Sequence, residues 1–300
     1  MAIELLRVDG LCQSFGENKA VDDVSFSLLE GEVLGLVGES GSGKTTLGRC
    51  IMGLYKPQSG SITFRGHNLS GGARKRSLAD RASGSASPIQ MIFQDPMASL
   101  DPRMTVGESV AEGLVIRGIR DKAKIQEKVA ETLSLVGLQP GYAGRYPHEF
   151  SSGQRQRIGI ARALVMEPQL LIADEAVSAL DVSVQAQVIN LLSDLRQQMN
   201  LSILFIAHDL AVVKYICDRI AVMHFGKIVE LAPAEELFAQ PLHPYTQSLL
   251  SAIPVPDPRL EQQRQQIVYQ APPPAVRTLR QVRPGHFVLC SLEEAQTMER

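Results

Sequence analysis

The sequence contains no tryptophan, only four cysteines and no excess of basic residues. The cysteines (Cys12, Cys50, Cys217 and Cys290) are widely separated and form no CxxC pair, which indicates a reduced, cytosolic chain. Lys and Arg number 30 against 32 Asp and Glu, and they form no dense basic stripe. We therefore expect no nucleic-acid partner.

Long hydrophobic runs are also missing. The most apolar stretches, such as SILFIAH at 202–208, have the length of a strand, far short of the roughly 20 residues that a spanning helix needs. The first ten residues lack the basic and apolar regions of a secretory signal peptide, so none is expected. A role at a membrane would need a separate membrane protein to hold the chain there.

Strand-length apolar runs alternate along the chain with helical patterns. Buried strands are predicted at 33–38, 89–94, 169–176 and 201–207, and helical patterns cover about 44–53, 106–137, 152–166 and 183–199. This alternation predicts an α/β core with a largely parallel sheet. The polar segment 70–88 predicts a surface loop, and the Pro- and Arg-bearing segment 271–285 predicts extended chain.

The stretch GESGSGKT at 38–45 follows a predicted strand and precedes a predicted helix, which is the context of a phosphate-binding P-loop. Its glycines allow successive backbone N–H groups to point at an anion. Lys44 would reach the β- and γ-phosphates of a nucleotide, and the Thr45 hydroxyl would ligate Mg²⁺. The candidate nucleotide-binding residues here are Gly38, Ser40, Gly41, Ser42, Gly43, Lys44, Thr45 and Thr46.

Polar side chains close other predicted strands. LLIADE at 170–175 ends in Asp174, a candidate Mg²⁺ ligand through water, and Glu175, a candidate general base. Strands often end in acidic residues, so this pattern alone is weak evidence. The P-loop upstream makes the interpretation stronger. Gln94 and His208 close two more strands, at the sheet edge where α/β proteins bind ligands, although a lone Gln or His is more often a capped or core residue.

The ordered set GESGSGKT, FQD, SSGQRQRIGIARAL, LLIADEAVSALD and FIAHD resembles the ATPase subunit of an ABC transporter over about residues 4–235. The resemblance implies that Gln94 is a Mg²⁺ ligand linked to a membrane partner and that His208 contacts the γ-phosphate. It makes Phe15 the aromatic residue that stacks on adenine, with a core aromatic as the alternative. It also assigns two further motifs: a D-loop of Ser178, Ala179, Leu180 and Asp181, and a signature motif of Ser151, Ser152, Gly153 and Gln154 that acts on the ATP of a second subunit.

Two segments resemble the oligopeptide, dipeptide and nickel importer ATPases in particular: MIFQDPMASLDPRMTVGE at 91–108 and HPYTQSLLSAIPVPDP at 243–258. The implied fold is a P-loop NTPase of the ABC-ATPase type, with a mainly parallel core sheet, an antiparallel β subdomain, a helical subdomain and an irregular C-terminal extension. The expected domains are a nucleotide-binding core at 1–95 and 160–235, a helical subdomain at 96–159 and the extension at 236–300. Some relatives carry four cysteines in the extension, but here only Cys290 remains, so we expect no iron–sulfur cluster.

The resemblance further implies ATP and Mg²⁺ as cofactors and an activity of ATP hydrolysis coupled to import, with peptides as the expected cargo. Expected partners are two transmembrane permeases, a second ATPase subunit packed head to tail, and indirectly an extracytoplasmic binding protein. The expected location is the cytoplasmic face of the membrane, held peripherally by the permeases. Alternatives are a non-transport ABC ATPase, linked to phosphonate metabolism or to nucleic acid and translation, and more remotely a P-loop small-molecule kinase.

Two letters depart from the usual signature motif: Phe150 exchanges one apolar anchor for another, and Ser152 is the true deviation. The usual signature motif reads LSGGQ, whereas this chain reads FSSGQ at 150–154, so that Ser152 replaces a glycine. A serine there costs on the order of 1 kcal/mol if the position requires a positive φ, and is well tolerated if the geometry is that of an ordinary helix start. We expect a competent but slowed signature motif, with Gly153 as the closest backbone approach to phosphate.

Overall fold

The computed structural model describes residues 3–69, 88–95, 99–178, 180–253, 266–270 and 276–298. The expected loop at 70–88 lies almost entirely outside these residues, as does Ala179 of the D-loop. The chain divides into two compact units. The first comprises Met1–Ile3, Leu29–Gly31 and Gly72–Leu204, and the second comprises Glu4–Leu28, Glu32–Gly71 and Phe205–Arg300.

The second unit begins with an antiparallel sheet. Its strands are β1 (Glu4–Phe15), β2 (Asn18–Leu29, whose last residue belongs to the first unit), β4 (Ser59–Phe64) and β5 (His67–Asn68), in the order β2-β1-β4-β5. Buried and exposed residues alternate along most of β2, as expected for a strand with one face on the core. This sheet is the predicted antiparallel β subdomain.

A second sheet of the same unit carries the P-loop. Strand β3 (Val33–Val37) is buried along its whole length and pairs in parallel with β9 (Arg219–His224). Strand β10 (Lys227–Pro233) is antiparallel to β9. Helix α1 (Lys44–Met52) begins at the P-loop and ends at Gly53, which adopts the left-handed conformation that suits glycine.

The described residues of the first unit include the parallel strands β6 (Ile89–Ile92) and β7 (Leu170–Asp174) and four α-helices. The helices are α2 (Val106–Ile116), α3 (Lys122–Leu135), α4 (Ser152–Leu164) and α5 (Val182–Met199). Helix α4 packs against α2, α3, α5 and β6. The helical pattern at 106–137 forms two helices, because Gly118 turns the chain at φ 89 and Asp121 caps the start of α3 through the amides of Ala123 and Lys124.

Strand β8 (Ser202–Ala207) runs from the first unit into the second and is buried throughout. It is followed by the short helix α6 (Leu210–Val213). Across the described residues, no helix is both long and apolar enough to cross a membrane.

The C-terminal extension is more regular than expected. It contains α7 (Ala234–Ala239), α8 (Pro244–Ser251), the antiparallel strands β11 (Thr278–Arg283) and β12 (His286–Cys290), and α9 (Leu292–Met298). Extended chain at 278–283 was expected, but its partner strand was not. The hairpin forms because Gly285 adopts φ 75 in the turn and because Val282, Val288, Cys290 and Ala295 bury a small core of their own.

Candidate functional site

The P-loop lies in the second unit and depends on glycine at defined points. Gly38, Gly41 and Gly43 all have positive φ, at 153°, 81° and 107°. A Cβ on Gly43 would lie 1.9 Å from the Ala20 carbonyl oxygen, and a Cβ on Gly38 would lie 2.1 Å from the Met223 carbonyl oxygen. Both positions therefore exclude every side chain, as the sequence motif predicts.

Lys44 is the buried cation of the P-loop, with only 3% of its surface exposed. Its ammonium group donates to the carbonyl oxygens of Gly38 and Glu39, both at 2.8 Å, and to the Ser42 hydroxyl at 3.4 Å. The ammonium is thus held across the loop, which is the placement that a phosphate-binding lysine requires. Thr45 is partly buried in the first turn of α1.

Phe15 ends β1 with 48% of its surface exposed, which does not fit the alternative of a core aromatic. Its ring meets Tyr55 edge to face at 5.4 Å between centroids. Arg49 donates to the Tyr55 hydroxyl at 3.1 Å and lies over its ring. Sequence reasoning missed Tyr55 and Arg49, since their link to Phe15 arises only when α1 and the segment after it fold back beside β1. The adenine-stacking role of Phe15 stays a prediction.

The acidic pair lies in the first unit at the end of β7, a strand that is buried at all five positions. Asp174 is 1% exposed. Glu175 follows outside the strand with φ 47, a left-handed conformation that costs a non-glycine residue on the order of 1 kcal/mol. Such strain persists where the surrounding structure imposes it, and it is common at functional sites.

Gln94 lies beside this pair. Strand β6 ends at Ile92, two residues earlier than predicted, so Gln94 lies beyond the strand. Its side-chain amide donates to a carboxylate oxygen of Glu175 at 2.8 Å. The structure thus brings together two residues that are 81 positions apart in the sequence, and it orients the carboxylate of the candidate general base.

The signature motif is the start of α4. Ser151 is the N-cap residue: its hydroxyl accepts from the Gln154 amide at 3.3 Å, and the Gln154 side chain accepts from the Ser151 amide at 3.0 Å, which completes a capping box. Ser152 is the first helical residue and does not adopt a positive φ. Of the two outcomes considered for Ser152, the structure selects ordinary helix-start geometry, which serine tolerates.

Gly153 is buried in the first turn of α4 and also lacks a positive φ. A Cβ at this position would lie 2.5 Å from the Val184 Cγ1 atom on α5. Close packing of α4 on α5 therefore explains the glycine within the subunit itself. The expected phosphate approach at Gly153 stays a prediction.

The D-loop connects Glu175 to α5. The Ser178 amide and hydroxyl both bond to the Glu175 carbonyl, at 3.1 and 2.9 Å. Leu180 is buried, and its carbonyl accepts from the Gln185 side chain at 3.0 Å. Asp181 occupies the N-cap position of α5 but makes no side-chain cap bond. The segment is thereby tied to Glu175 through Ser178.

His208 lies in the second unit, directly after β8, and is exposed. The next residue, Asp209, caps α6 by accepting from the Ala211 amide at 2.8 Å. An exposed position agrees with a ligand-contacting histidine and disagrees with a core-satisfied one. The contact with the γ-phosphate itself remains untested.

The described residues contain no group of three or more His, Cys, Asp or Glu side chains arranged to hold a metal ion. Mg²⁺ fits a nucleotide site without such a group. In nucleotide enzymes it usually takes only one or two protein oxygens, and phosphates and water complete its coordination shell. Cys290 lies in the small core of the hairpin, and burial raises the pKa of its thiol. The expectation of no iron–sulfur cluster remains open to iron and sulfide analysis.

Comparison with known proteins defines the class. Residues 21–178, a little over half of the chain, match the family model described as ABC transporter. Among solved structures, cbiO1 of Clostridium perfringens, part of the ABC transporter complex cbiONQ, superposes with a TM-score of 0.70 at 29% identity, covering 79% of this chain and 92% of that one. The chain belongs to the ABC transporter family, and as an ABC ATPase it binds ATP.

A second family model places the chain more narrowly. Residues 229–279 match the C-terminal region of oligopeptide/dipeptide transporters. The oligopeptide transport ATP-binding protein OppF of Bacillus subtilis is 53% identical over 307 aligned residues, covering 98% of each chain. The dipeptide transport ATP-binding protein DppF of Lactococcus lactis subsp. cremoris is 52% identical over 295, covering 95% of this chain and 92% of that one. These findings confirm the resemblance and do not favour the non-transport alternative.

Proposed function

We propose that the chain is the ATP-hydrolysing subunit of an importer for peptides. This proposal rests on the similarity to peptide-transport ATPases, which reaches 53% and 52% sequence identity over nearly the whole chain and includes the C-terminal region. In this proposal, two permeases span the membrane and hold the chain at its cytoplasmic face. An extracytoplasmic binding protein delivers the peptide, which this chain never touches. The expected domain bounds, 1–95 with 160–235, 96–159 and 236–300, remain part of the proposal.

Two ATPase subunits would pack head to tail in this proposal, and the dimeric state of a solved relative supports the pairing of two subunits. The cassette MJ0796 was solved as a dimer bound to ADP and Pi, and it superposes with a TM-score of 0.67 at 25% identity, covering 77% of this chain and 99% of that one. The capped start of α4 would then present its hydroxyl, backbone and amide donors to the ATP of the partner subunit. The partner is either a second copy or a related chain.

The residues of each subunit would divide the work of hydrolysis. The P-loop amides and Lys44 hold the phosphates, and Glu175, oriented by Gln94, accepts a proton from the attacking water. His208 and the signature motif place donors around the γ-phosphate as charge develops on its oxygens. Thr45, Gln94 and Asp174 would hold Mg²⁺, which neutralises phosphate charge when bound. Closure on ATP and reopening after hydrolysis would move the permeases.

Co-expression of the chain with peptide-importer permeases, alone and together with a related ATPase subunit, tests the proposal. We expect the chain to purify with both permeases in detergent and, in vesicles, to hydrolyse ATP faster when a peptide-loaded binding protein is added. The Glu175→Gln variant, which retains the side chain's shape but loses the base, should lower hydrolysis about 100-fold or more while binding ATP. Glu127→Gln, on the exposed face of α3, is the matched control.

Two results would contradict the proposal. A chain that binds ATP but never associates with a membrane protein would not be a transporter subunit. Stimulation by a nickel-loaded binding protein, without any by peptide, would retain the importer and replace its cargo.

A further inference from the structure

The peptide unit that joins Gly38 to Glu39 is held from both of its edges. Its carbonyl, on Gly38, accepts from the Lys44 ammonium at 2.8 Å. Its N–H, on Glu39, donates to the phenol oxygen of Tyr245 at 3.2 Å. Because a trans peptide is planar and its C=O and N–H point in opposite directions, the two bonds together fix the rotation of this plane. Tyr245 belongs to the C-terminal extension, 206 positions from Glu39.

Tyr245 is itself rigidly held. Only 2% of its surface is exposed, and the His224 ring packs on it with centroids 3.8 Å apart. The Tyr269 ring meets the Tyr245 ring edge to face, with centroids 5.3 Å apart. Burial raises the pKa of Tyr245 to about 12, and burial lowers the pKa of His224. Both rings therefore stay neutral near pH 7, and the phenol oxygen is available as a neutral acceptor.

The start of α8, which carries Tyr245, is anchored on a buried carboxylate. His243 caps the helix by accepting from the Tyr245 amide at 3.1 Å. The amides of Leu242 and His243 donate to the two oxygens of Glu230, at 2.8 and 3.0 Å. Glu230 is fully buried in β10, so these bonds supply partners that a buried carboxylate needs.

The same carboxylate reaches the terminal hairpin. His286, at the start of β12, is fully buried and lies 2.7 Å from Glu230 and 2.8 Å from Glu236 through its two ring nitrogens. Burial alone would lower the pKa of His286, but the bonds to the two carboxylates raise it. A continuous set of contacts therefore runs from the hairpin through Glu230 and His243 to Tyr245 and the P-loop.

We propose that Tyr245 is a positioning residue of the nucleotide site: its hydroxyl sets the peptide plane that holds Lys44 and so preorganises the P-loop for the β- and γ-phosphates. The C-terminal extension thereby contributes to ATP binding in its own subunit, in addition to any contact with partners. This inference rests on the proposed role of the P-loop and Lys44.

The test is the Tyr245→Phe variant of the full chain, which removes only the hydroxyl. We expect the dissociation constants of Mg·ATP and Mg·ADP, measured by calorimetric titration, to rise about three- to tenfold, the value of one hydrogen bond. The KM for ATP should rise in parallel, while kcat stays within about twofold and the melting temperature stays within a few degrees. Tyr269→Phe, which removes a hydroxyl from the same aromatic cluster, should bind both nucleotides as the wild type does.

Three results would overturn the inference: unchanged affinity in Tyr245→Phe, an equal loss of affinity in Tyr269→Phe, or a loss of kcat alone. If Tyr245→Phe unfolds, amide exchange in the wild-type protein decides, since a Glu39 amide that exchanges as fast as a free one has no bond to Tyr245. A wild-type chain that binds neither nucleotide would instead refute the proposed nucleotide site, whatever the variants do.

Discussion

Ser152 and Gly153 have different roles in the signature motif, although both positions are usually glycine. Ser152 lies at the first helical position of α4 without a positive φ, so no strain opposes the serine. Gly153 lies against Val184, where a Cβ would lie 2.5 Å from a methyl group. The expectation of a slowed motif therefore loses its backbone argument, because the deviation falls at the position that tolerates a side chain.

Gly153→Ala tests this distinction. We expect a loss of about 1–3 kcal/mol in the free energy of unfolding, because the added methyl overpacks the contact between α4 and α5. Urea unfolding followed by circular dichroism measures it. Val184→Ala should restore much of the loss in the double variant, and Ser152→Gly should leave ATP hydrolysis within about twofold. A Gly153→Ala variant as stable as the wild type would show that this contact is loose.

At the scale of elements, helix α4 begins at a capping box and buries an apolar face along its length. Ser151 and Gln154 satisfy each other's backbone amides. The helix continues with Ile158, Ile160, Ala161 and Leu164 buried. The cap therefore fixes where the helix begins, and with it the positions of the residues of the proposed signature motif.

Ser151→Ala removes the cap, and we expect it to lower the free energy of unfolding by about 1 kcal/mol. Ser151→Asn, whose side chain also caps helices well, should lose at most a few tenths. The midpoint of urea unfolding separates the two variants. Equal stability of the alanine and asparagine variants would show that the cap contributes nothing to folding.

At the scale of the whole molecule, buried histidines make stability depend on pH. Burial lowers the pKa of His243 to about 4, against an ordinary 6.5, so the folded protein keeps this ring neutral. The unfolded chain takes up a proton below pH 6.5, so stability falls as the pH drops from 6.5 toward 4. The charges and rings that also affect the pKa of His243 are Glu230, His224, Arg277 and Glu294.

His286 affects stability in a different pH range. Its raised pKa contributes stability below pH 6.5, and this stability is lost as the pH rises through the pKa of the folded protein.

His243→Asn should flatten this dependence, because asparagine keeps an acceptor for the Tyr245 amide and does not titrate. Between pH 7 and pH 4.5, we expect the variant to lose up to about 3 kcal/mol less than the wild type. Urea unfolding at both pH values measures the difference. His67→Asn, at the exposed strand β5, is the control. Parallel losses in the wild type and His243→Asn would show that other groups govern acid sensitivity.

Motifs whose parts lie within a few residues of one another could be predicted from the amino-acid sequence alone. The P-loop, the buried strand before Asp174 and the capped start of α4 are local, because turn glycines, apolar runs and cap residues act on their own neighbours. Local evidence could not determine the energetic cost of Ser152, because that cost depends on a backbone angle. Nor could it predict the hairpin of β11 and β12, because these strands are stabilised by a core that they help to form.

Pairings between distant residues became visible only in the folded chain. Gln94 with Glu175, Gly153 with Val184, and Tyr245 with Glu39 are separated by 81, 31 and 206 positions. No pattern of propensity or periodicity encodes such contacts, because they depend on which faces the folded elements bring together. The family and its chemistry could therefore be predicted from short motifs, while the support of those motifs by the C-terminal extension emerged from the fold.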